Sequence, residues 1–344
     1  MWHNRSRLDV RIPTLAVCSA ALVLATGCGK PNYVLAPERQ VNAADWPAAR
    51  LTPHVLVVSI DGLRPDAITT FNAPTLRRLT AEGSYTLAAS TITPSKTLPS
   101  HTSMLTGLAP EDHGVLWNNV ATAKSDLIPK GTVFGLARAR GYRTAAFYSK
   151  AKFQPLQQPG TLDYSQAPGG WFGRWSAART VGDVETYLRT AEPNLLFVHL
   201  GEVDRAGHAS GWMSPQYGQA VEVVDAALAR LLTAVEKSFG KDEYTVIVTA
   251  DHGGHGTNHG SDDPRDVTIP WVAWGRAVKP GHLESTGIRT MDTASTVAFL
   301  LGLDKPESWA GVPVRDAFAA PAVAIPTPTP TALTDSPVTP RAGL

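Results

Sequence analysis

The sequence predicts an α/β fold in which helices cover both faces of a central, largely parallel sheet. Two observations support this prediction. Short runs rich in β-branched and aliphatic residues recur along the chain, and segments with helical periodicity lie between them. Continuous apolar runs are typical of strands buried on both faces, and regular alternation of strands with helices is typical of parallel sheets. We therefore expect a three-layer α/β/α architecture.

Five runs are predicted to form strands, and four of them end at or near a charged residue. In sheets of this kind, ligands collect beyond the carboxyl ends of the strands. We therefore expect Asp61, Asp204 and Asp251 to meet at one edge of the sheet, with Lys150 on the same edge. The runs are HVLVVSI (54–60, before Asp61), YRTAAFYS (142–149, before Lys150), NLLFVHL (194–200, before Glu202 and Asp204), YTVIVTA (244–250, before Asp251) and TIPWVAWG (268–275).

Helical periodicity marks the segments between these runs. Amphipathic patterns cover residues 73–83, 132–142, 215–240 and 291–303, and the first three of them end at or near a glycine. Glycine is common just after the last turn of a helix. These segments supply the two outer layers of the predicted fold.

The ends of the chain are not predicted to belong to the fold. Residues 1–27 resemble a lipoprotein signal peptide, with arginines before an apolar stretch that ends in LATGC. Cys28 is then the lipidated residue, although Ala25 stands where Leu is more usual, and a plain secretory signal cut nearby is the alternative. We expect a tether over residues 28–50, a folded domain over 51–318 and a disordered Pro- and Thr-rich tail over 319–344. The protein would be exported and anchored to a membrane, facing the periplasm or the cell surface.

Composition limits the classes of function. The 344-residue chain has 31 Lys and Arg against 30 Asp and Glu, so it shows no electrostatic footprint for nucleic acid. Hydrophobic residues make up 43% of the chain, which is enough for a sizeable core. Cys18 lies in the predicted signal, which leaves Cys28 as the one cysteine of the processed chain and excludes an intramolecular disulfide.

Metal-ligand side chains crowd two segments of the chain. In TADHGGHGTNHGSDD, Asp251 and His252 are adjacent at a strand end, and glycines follow that permit close approach. In GEVDRAGH, Asp204 and His208 are four residues apart, so one helical turn or a compact loop places them on one side. The alternatives are a surface turn for the first segment and an ordinary exposed loop for the second.

Further ligands are expected from the same region. Asp61 follows a buried strand, where it serves either as a ligand or as a helix N-cap. His255 and His259 compete for one ligand position, because both lie in a glycine-broken loop. Mixed Asp and His ligands without Cys suit Zn²⁺ or Mn²⁺. About six ligands are too many for one tetrahedral ion, and two ions about 3.5–4 Å apart are the arrangement used for in-line phosphoryl displacement.

Thr97 is the candidate nucleophile. It lies just before a predicted helix whose first turn contains Pro99. The partial positive charge at a helix N-terminus favours an alkoxide or a phosphate, and a metal-bound threonine hydroxyl can act as an activated nucleophile. The alternative is that Thr97 only caps the helix.

The segments SIDGLRPD, TLPSHTSMLTG, GEVDRAGH and DHGGHGTNHG occur in this order along the chain. Together they resemble the alkaline phosphatase superfamily, and within it the nucleotide pyrophosphatase/phosphodiesterase branch. The resemblance extends over nearly all of residues 54–316 and includes GVPVRDAF. It implies that residues 51–318 form an alkaline phosphatase-like catalytic domain with two divalent ions. One ion would be held by Asp61, Thr97, Asp251 and His252, and the other by Asp204, His208 and His259, with His259 favoured over His255.

The resemblance also implies roles for substrate-binding residues. Asn118, 21 residues after Thr97, matches a side-chain amide that donates to a phosphoryl oxygen, with Asn119 as the alternative. Lys150 and Lys152 match a pair that grips the extra negative charge of phosphate monoesters or phosphonoacetate, unless they are simply solvated. Only six residues separate His252 from His259, so the site should be more open than in larger members of the branch.

The expected activity is hydrolysis of a phosphoric ester through a phospho-threonine intermediate on Thr97. A phosphodiesterase or nucleotide pyrophosphatase is expected first, and a phosphomonoesterase or phosphonoacetate-type hydrolase is the alternative. The substrate would be a small phosphate ester, and a nucleotide is one candidate. The sequence Thr97-Leu98-Pro99 lacks the Cys or Ser that formylglycine sulfatases require. The alternative from another class is a non-catalytic metal- or ligand-binding surface lipoprotein. Four aromatic residues are candidates for a stacking wall, although aromatics more often lie in the core: Trp117, Trp171, Phe172 and Trp175.

Overall fold

The computed structural model describes Met1 and residues 50–119, 131–170, 173–283 and 287–319. The predicted tether before residue 50, residues 320–344 of the predicted tail, and residues 2–27 of the predicted signal peptide lie outside the described residues. The helices and strands all belong to one compact unit, Leu35–Leu344. Among the described residues, no helix has both the length and the apolar character needed to cross a membrane.

The centre of this unit is an eight-stranded sheet with the order β4-β3-β5-β1-β6-β7-β2-β8. Neighbouring strands from β4 to β6 run parallel, β7 runs antiparallel to both of its neighbours, and β8 is parallel to β2. The sheet is therefore largely parallel, as predicted. The strands are β1 (His54–Ile60), β2 (Ser84–Ser90), β3 (Thr144–Phe147), β4 (Tyr164–Gln166), β5 (Leu195–Leu200), β6 (Tyr244–Thr249), β7 (Thr268–Gly275) and β8 (Gly281–His282).

Helices form the two outer layers. Helices α2, α6, α7 and α8 are connected by mutual contacts, and α3, α5 and α10 contact one another in a second group. The α-helices are α1 (Ala67–Thr70), α2 (Pro74–Glu82), α3 (Thr97–Thr106), α4 (Pro110–His113), α5 (Val133–Ala139), α6 (Ala177–Tyr187), α7 (Glu202–Ser210), α8 (Pro215–Phe239), α9 (Pro264–Val267) and α10 (Asp292–Leu301). Among the described residues, 3₁₀ helices cover Ala151–Leu156 and Arg315–Ala317.

The four strands that were predicted to end at charged residues are neighbours in the sheet. Strands β3, β5, β1 and β6 lie side by side and run in the same direction. Their ends are level, because Ile60 of β1 pairs with Leu200 of β5, and Ser59 pairs with Thr249 of β6. The segments that follow these strands therefore leave the sheet at the same edge.

Candidate functional site

Asp61 and Asp204 approach each other directly behind the strand ends. The backbone amide of Asp204 donates to the carbonyl oxygen of Asp61 at 2.9 Å. Gly62 makes this contact possible: it has φ +74°, and a Cβ there would lie 2.9 Å from Cα of Asp204. The glycine of the SIDG segment is thus required both by its conformation and by the space that it leaves. Asp61 does not cap a helix, because α1 begins at Ala67.

Each of the three aspartates uses one carboxylate oxygen in hydrogen bonds and leaves the other without a partner. Oδ2 of Asp61 and Oδ2 of Asp204 accept from the ammonium of Lys150. Oδ1 of Asp251 accepts from the amides of Gly62 and His252, at 3.1 and 3.0 Å. Within the described residues, Asp61 Oδ1, Asp204 Oδ1 and Asp251 Oδ2 are buried and have no hydrogen-bond partner. Such orphaned charged atoms are costly unless a ligand satisfies them.

Three predicted histidine ligands are oriented in the same way. Nδ1 of His252 contacts the carbonyl oxygen of Gly253 at 2.8 Å, Nδ1 of His259 contacts that of Ser95 at 2.8 Å, and Nδ1 of His208 contacts that of Thr257 at 2.9 Å. A carbonyl oxygen only accepts, so Nδ1 carries the proton and each Nε2 presents a lone pair. This is the usual support for a metal-binding histidine.

The orphaned oxygens and the Nε2 atoms face one another in two groups. In the first, Nε2 of His252 lies 3.2 Å from Oδ2 of Asp251 and 3.5 Å from Oδ1 of Asp61. The hydroxyl of Thr97 lies 3.3 Å from the same Nε2. Carboxylate oxygens and imidazole lone pairs are all acceptors, and a cation between them satisfies the whole set. Residues Asp61, Asp251 and His252 therefore fit a divalent metal ion, with the Thr97 oxygen beside it.

The second group surrounds Asp204. Its orphaned Oδ1 lies 3.3 Å from Nε2 of His208 and 3.6 Å from Nε2 of His259. Nε2 of His252 lies 4.0 Å from the same oxygen, so His252 stands between the two groups. Within the described residues, two sets of ligand atoms each lie within 4.8 Å of one another, namely Asp204, His252 and His259, and Asp61, Asp251 and His252. The His208 side chain is 44% exposed, at the mouth of the second group.

His255 faces away from both groups. Its Nδ1 lies 2.7 Å from Oδ1 of the buried Asp266. Oδ2 of Asp266 accepts from the amide and the hydroxyl of Ser261, at 3.0 and 2.7 Å. Asp266 thereby holds the loop that carries His259, and the geometry favours His259 over His255 as the ligand.

The titration behaviour of the aspartates differs because their neighbours differ. Burial raises the pKa of Asp251 well above its ordinary value, and the charge of Asp61 adds to the effect. Burial would also raise the pKa of Asp61, but the ammonium of Lys150 and the hydrogen bond from His199 outweigh it and hold this pKa well below its usual range. Burial lowers the pKa of His252 to about 3, so this imidazole is neutral at physiological pH. A neutral His252 is the form that binds a metal.

Thr97 is the first residue of α3, so it lies within the first turn of the helix and not just before it, and Pro99 belongs to the same turn. The N-cap residue is Lys96, whose side chain makes no capping hydrogen bond, and Thr97 is not a cap. The amide of Leu98 donates to Oδ1 of Asn118 at 2.9 Å. This bond places the oxygen of the Asn118 amide at the N-terminus of the helix, so the NH₂ group is the part of this amide that can donate to a ligand. Asn119 is exposed.

The two candidate substrate lysines have different environments. Lys150 is buried, and its ammonium lies 2.6 Å from Oδ2 of Asp61 and 2.5 Å from Oδ2 of Asp204. These two carboxylates take two of the three N–H donors of the ammonium, so the contacts that Lys150 makes are with candidate metal ligands. Lys152 is half-buried, and its ammonium lies 3.4 Å from Oδ1 of Asn118. Burial, followed by the charge of Lys150, lowers the pKa of Lys152.

Two buried histidines support the site and were not predicted from the sequence. His199 lies inside β5, with Nε2 2.8 Å from Oδ2 of Asp61 and Nδ1 2.9 Å from the hydroxyl of Ser149. His101 lies on α3, with Nδ1 2.7 Å from the carbonyl oxygen of Thr97 and Nε2 2.8 Å from the hydroxyl of Ser59. A single histidine within the otherwise apolar run LLFVHL was the available signal for the first.

The candidate aromatic wall is only partly within the described residues. Trp117 and Trp175 are both half-buried; Trp117 packs against the core, and the guanidinium of Arg179 stacks over Trp175. Trp171 and Phe172 lie outside the described residues. Trp212, which the sequence did not single out, packs edge-on against the rings of His208 and His259, with ring centroids 5.1 and 5.7 Å away. Trp212 thus holds both imidazoles of the second group.

Comparison with known proteins gives the same assignment at the level of family. The chain is 26% identical over 241 residues to human ectonucleotide pyrophosphatase/phosphodiesterase family member 1, an alignment that covers 65% of this chain and 26% of the relative. The chain thus spans about a quarter of the length of that relative.

Solved structures share the fold. Murine ectonucleotide pyrophosphatase/phosphodiesterase 5, in an inactive form in complex with AMP, superposes with a TM-score of 0.65 at 17% identity, covering 77% of this chain and 100% of that one. A phosphonate monoester hydrolase from Silicibacter pomeroyi superposes with a TM-score of 0.57 at 16% identity, covering 78% and 77% of the two chains.

The family profile described as type I phosphodiesterase / nucleotide pyrophosphatase matches residues 55–267. This range contains every predicted metal ligand, Thr97, Asn118 and both lysines. The chain therefore belongs to the type I phosphodiesterase/nucleotide pyrophosphatase family of the alkaline phosphatase superfamily.

Proposed function

We propose that this protein is a metal-dependent phosphoric-ester hydrolase that uses Thr97 as its nucleophile and passes through a phospho-threonine intermediate. One observation carries the proposal. The Thr97 hydroxyl lies at the N-terminus of α3, 3.3 Å from Nε2 of His252, which stands between the two groups of inward-facing carboxylate oxygens and imidazole nitrogens. Such an arrangement suits in-line displacement at phosphorus.

Two divalent ions would be held by the two groups described above. Asp and His ligands without Cys suit Zn²⁺ or Mn²⁺, and such ions lower the pKa of bound hydroxyls and stabilise negative charge on phosphoryl oxygens. The first set is Asp61, Asp251, His252 and the Thr97 oxygen, and the second is Asp204, His208 and His259.

The chain's own residues position Thr97 and the substrate. The Nδ1–H of His101 donates to the carbonyl oxygen of Thr97 at 2.7 Å, and this bond fixes the backbone at Thr97. The NH₂ group of Asn118 donates to a non-bridging phosphoryl oxygen, where a fixed donor stabilises the charge that develops in the transition state. Lys152, beside Asn118, supplies a positive charge at the same place.

Among phosphate esters, we propose diesters or nucleotide pyrophosphates as the preferred substrates. Family membership supports this preference. The environment of the lysines supports it as well. Lys150 is engaged by Asp61 and Asp204, and we infer that Lys152, whose ammonium lies 3.4 Å from Oδ1 of Asn118, is the lysine of the pair that meets the phosphoryl group. A single cation matches the one negative charge of a diester better than the two of a monoester. Monoester or phosphonate hydrolysis, which needs an additional cation, is the second candidate.

The test compares two chromogenic substrates. We would purify residues 29–344, load the protein with zinc or manganese, and measure turnover of bis-p-nitrophenyl phosphate and p-nitrophenyl phosphate at mildly alkaline pH. A much higher kcat/KM for the diester is expected. A higher value for the monoester would establish the second candidate. No hydrolysis of either ester by a protein that holds two ions would favour a non-catalytic metal-binding role.

We also propose that the protein is exported and anchored through a lipid on Cys28. The LATGC segment at the end of an apolar stretch supports this. In a bacterial host, labelled palmitate should be incorporated into the wild type and not into Cys28→Ala. Equal labelling of the two would refute the anchor.

A further inference from the structure

Lys150 makes contacts that a substrate-binding lysine would not need. Its ammonium lies 2.6 Å from Oδ2 of Asp61, which belongs to the first metal group, and 2.5 Å from Oδ2 of Asp204, which belongs to the second. Its side chain is 6% exposed. A solvated lysine would be far more exposed, and its ammonium would not join two buried carboxylates.

We propose that Lys150 is a positioning residue that ties the two metal-ligating carboxylates together and restricts each of them to a single metal-facing oxygen. The proposal rests on the assignment of Asp61 and Asp204 as metal ligands in the proposed function. It changes the role of Lys150 from a grip on the substrate to a link between the two metal groups.

The orphaned oxygens support the restriction to one oxygen. Asp61 and Asp204 each present Oδ1 toward the imidazoles, and each has Oδ2 turned back to Lys150. Oδ2 of Asp61 is held additionally by Nε2 of His199 at 2.8 Å. A carboxylate with one oxygen fixed in this way ligates through the other oxygen alone, and such supporting partners orient the ligands of metal sites.

Lys150 also supplies a positive charge beside the buried carboxylates of the site. Asp61, Asp204 and Asp251 are all buried within one small region. Without a compensating cation, the mutual repulsion of Asp61 and Asp204 would push the two side chains apart before any ion binds. The ammonium offsets this repulsion and holds the two side chains together through its contacts with both Oδ2 atoms.

Gly201 shows that the path of the Lys150 side chain is built into the fold. A Cβ at residue 201 would lie 3.0 Å from Cε of Lys150 and 2.8 Å from the hydroxyl of Ser149. The backbone of Gly201 has φ −106° and ψ 10°, which other residues can adopt. Glycine is therefore required at this position for space and not for conformation, and the space is taken by the Ser149 hydroxyl and the Lys150 side chain.

Lys152 provides the matched control. It is two residues away, carries the same charge, and contacts Asn118 and neither of the two carboxylates. If Lys150 acts on the ligands, its removal must affect metal binding, and removal of Lys152 must not. If both lysines only bind substrate, neither change affects metal binding.

The experiment measures zinc binding in the absence of substrate. Lys150→Met, Gly201→Ala and Lys152→Met would be titrated with zinc against a chromogenic chelator, and the bound metal counted by elemental analysis. Supporting partners of metal ligands contribute about 10- to 100-fold in affinity. We expect a loss of this size in Lys150→Met, a smaller loss in Gly201→Ala, and affinity within about 2-fold of wild type in Lys152→Met. Gly201→Ala keeps every charged group, so it gives the answer if Lys150→Met does not fold.

A second readout tests the restriction to one oxygen. The visible absorption spectra of the cobalt-substituted wild type and of cobalt-substituted Lys150→Met would be compared. Lys150→Met should show a weaker spectrum, because carboxylates released from Lys150 can bind through both oxygens and raise the coordination number. Wild-type zinc affinity in Lys150→Met, or an unchanged affinity in Gly201→Ala, would overturn the proposal. Tighter zinc binding in Lys150→Met would overturn it too, since it would identify Lys150 as a competitor of the ions.

These readouts separate this inference from the proposed function. A wild type that binds two ions and hydrolyses no phosphate ester would refute the proposed function and leave the role of Lys150 intact. An active wild type whose Lys150→Met variant binds zinc normally would refute the role of Lys150 alone.

Discussion

Nε2 of His259 lies 3.6 Å from the orphaned Oδ1 of Asp204. The imidazole is held in this position by Ser95, whose carbonyl oxygen is 2.8 Å from Nδ1. His255, four residues earlier, is bound instead to the buried Asp266. His259→Ala should therefore lose one bound ion and most of the turnover, whereas His255→Ala should keep both ions. Elemental analysis of the two purified variants checks this. Loss of metal in His255→Ala with retention in His259→Ala would reverse the assignment.

Substitution of Thr97 tests the nucleophile. Thr97→Ala should lose nearly all turnover but keep bound zinc, because the carboxylate and imidazole ligands remain. Thr97→Ser should retain part of the activity, since it keeps the hydroxyl. Thr102→Ala, on the same helix, is the control, because the Thr102 hydroxyl donates to the carbonyl oxygen of Leu98 and not into the site. Turnover of Thr97→Ala close to that of the wild type would remove Thr97 from the mechanism.

The side chain of Asn118 has two proposed roles: its oxygen accepts from the amide of Leu98, and its NH₂ group donates to the substrate. Asn118→Asp keeps the oxygen that accepts from the amide of Leu98 and removes the NH₂ donor. Removal of one such donor typically costs about 100- to 1,000-fold in kcat, and we expect a loss of at least this size, with bound zinc unchanged. The control is Asn119→Ala at the exposed neighbouring position, measured with the same diester. If Asn119→Ala shows the larger loss, the donor is Asn119.

Lys152 should influence the choice between monoesters and diesters. Its ammonium lies near Asn118, on the side where the phosphoryl group is expected. Loss of one positive charge weakens the binding of a dianion more than that of a monoanion. Lys152→Met should therefore reduce kcat/KM for p-nitrophenyl phosphate several-fold more than for bis-p-nitrophenyl phosphate. An equal reduction for both would show that Lys152 does not contact the phosphoryl oxygens.

His113 should make the folded protein sensitive to acid, independently of the metal site. Burial lowers the pKa of His113 from 6.5 to about 4. Nδ1 accepts from the amide of Val115 at 3.0 Å, and Nε2 lies 3.0 Å from the hydroxyl of Ser103. A second proton on the ring would face the Val115 N–H, so the folded state resists protonation.

The consequence for stability has a defined direction. As the pH falls below 6.5, the unfolded chain binds a proton on His113 that the folded chain binds only near pH 4. The free energy of unfolding therefore decreases with falling pH across this window, through the contribution of His113. His113→Asn keeps an acceptor for Val115 and cannot titrate. Denaturant melts at several pH values should show that the difference in stability between the wild type and His113→Asn shrinks as the pH is lowered. A constant difference would contradict the assignment.

Much of the fold could be predicted because its central strands are buried on both faces. The runs over 54–60 and 268–275 have the same bounds in the structure, β1 and β7. The direction of β7 could not be read, because periodicity reports which side chains are buried and not which way a strand runs. Strands β4 and β8 were missed, since they contain only three and two residues. Strand β2 was missed because SYTLAAS lacks a continuous apolar run.

The carboxylates of the site were predictable for a physical reason. Level strand ends bring the residues that follow them to one edge of the sheet, so Asp61, Asp204 and Asp251 meet there. The direction of each side chain was not predictable in this way. The contact of Lys150 with two carboxylates depends on the space at Gly201, and the support from His199 depends on strand register. Both are properties of packing between segments that are far apart in sequence.

The stereochemical course at phosphorus tests the central claim most directly. A single in-line attack by water inverts the configuration, whereas attack by Thr97 followed by attack of water inverts it twice. The zinc-loaded wild type would hydrolyse a phosphorothioate diester of known configuration in isotopically labelled water, and the product would be analysed by phosphorus NMR. The account predicts net retention of configuration, whether or not the phospho-threonine accumulates. Net inversion would contradict the proposed Thr97 intermediate.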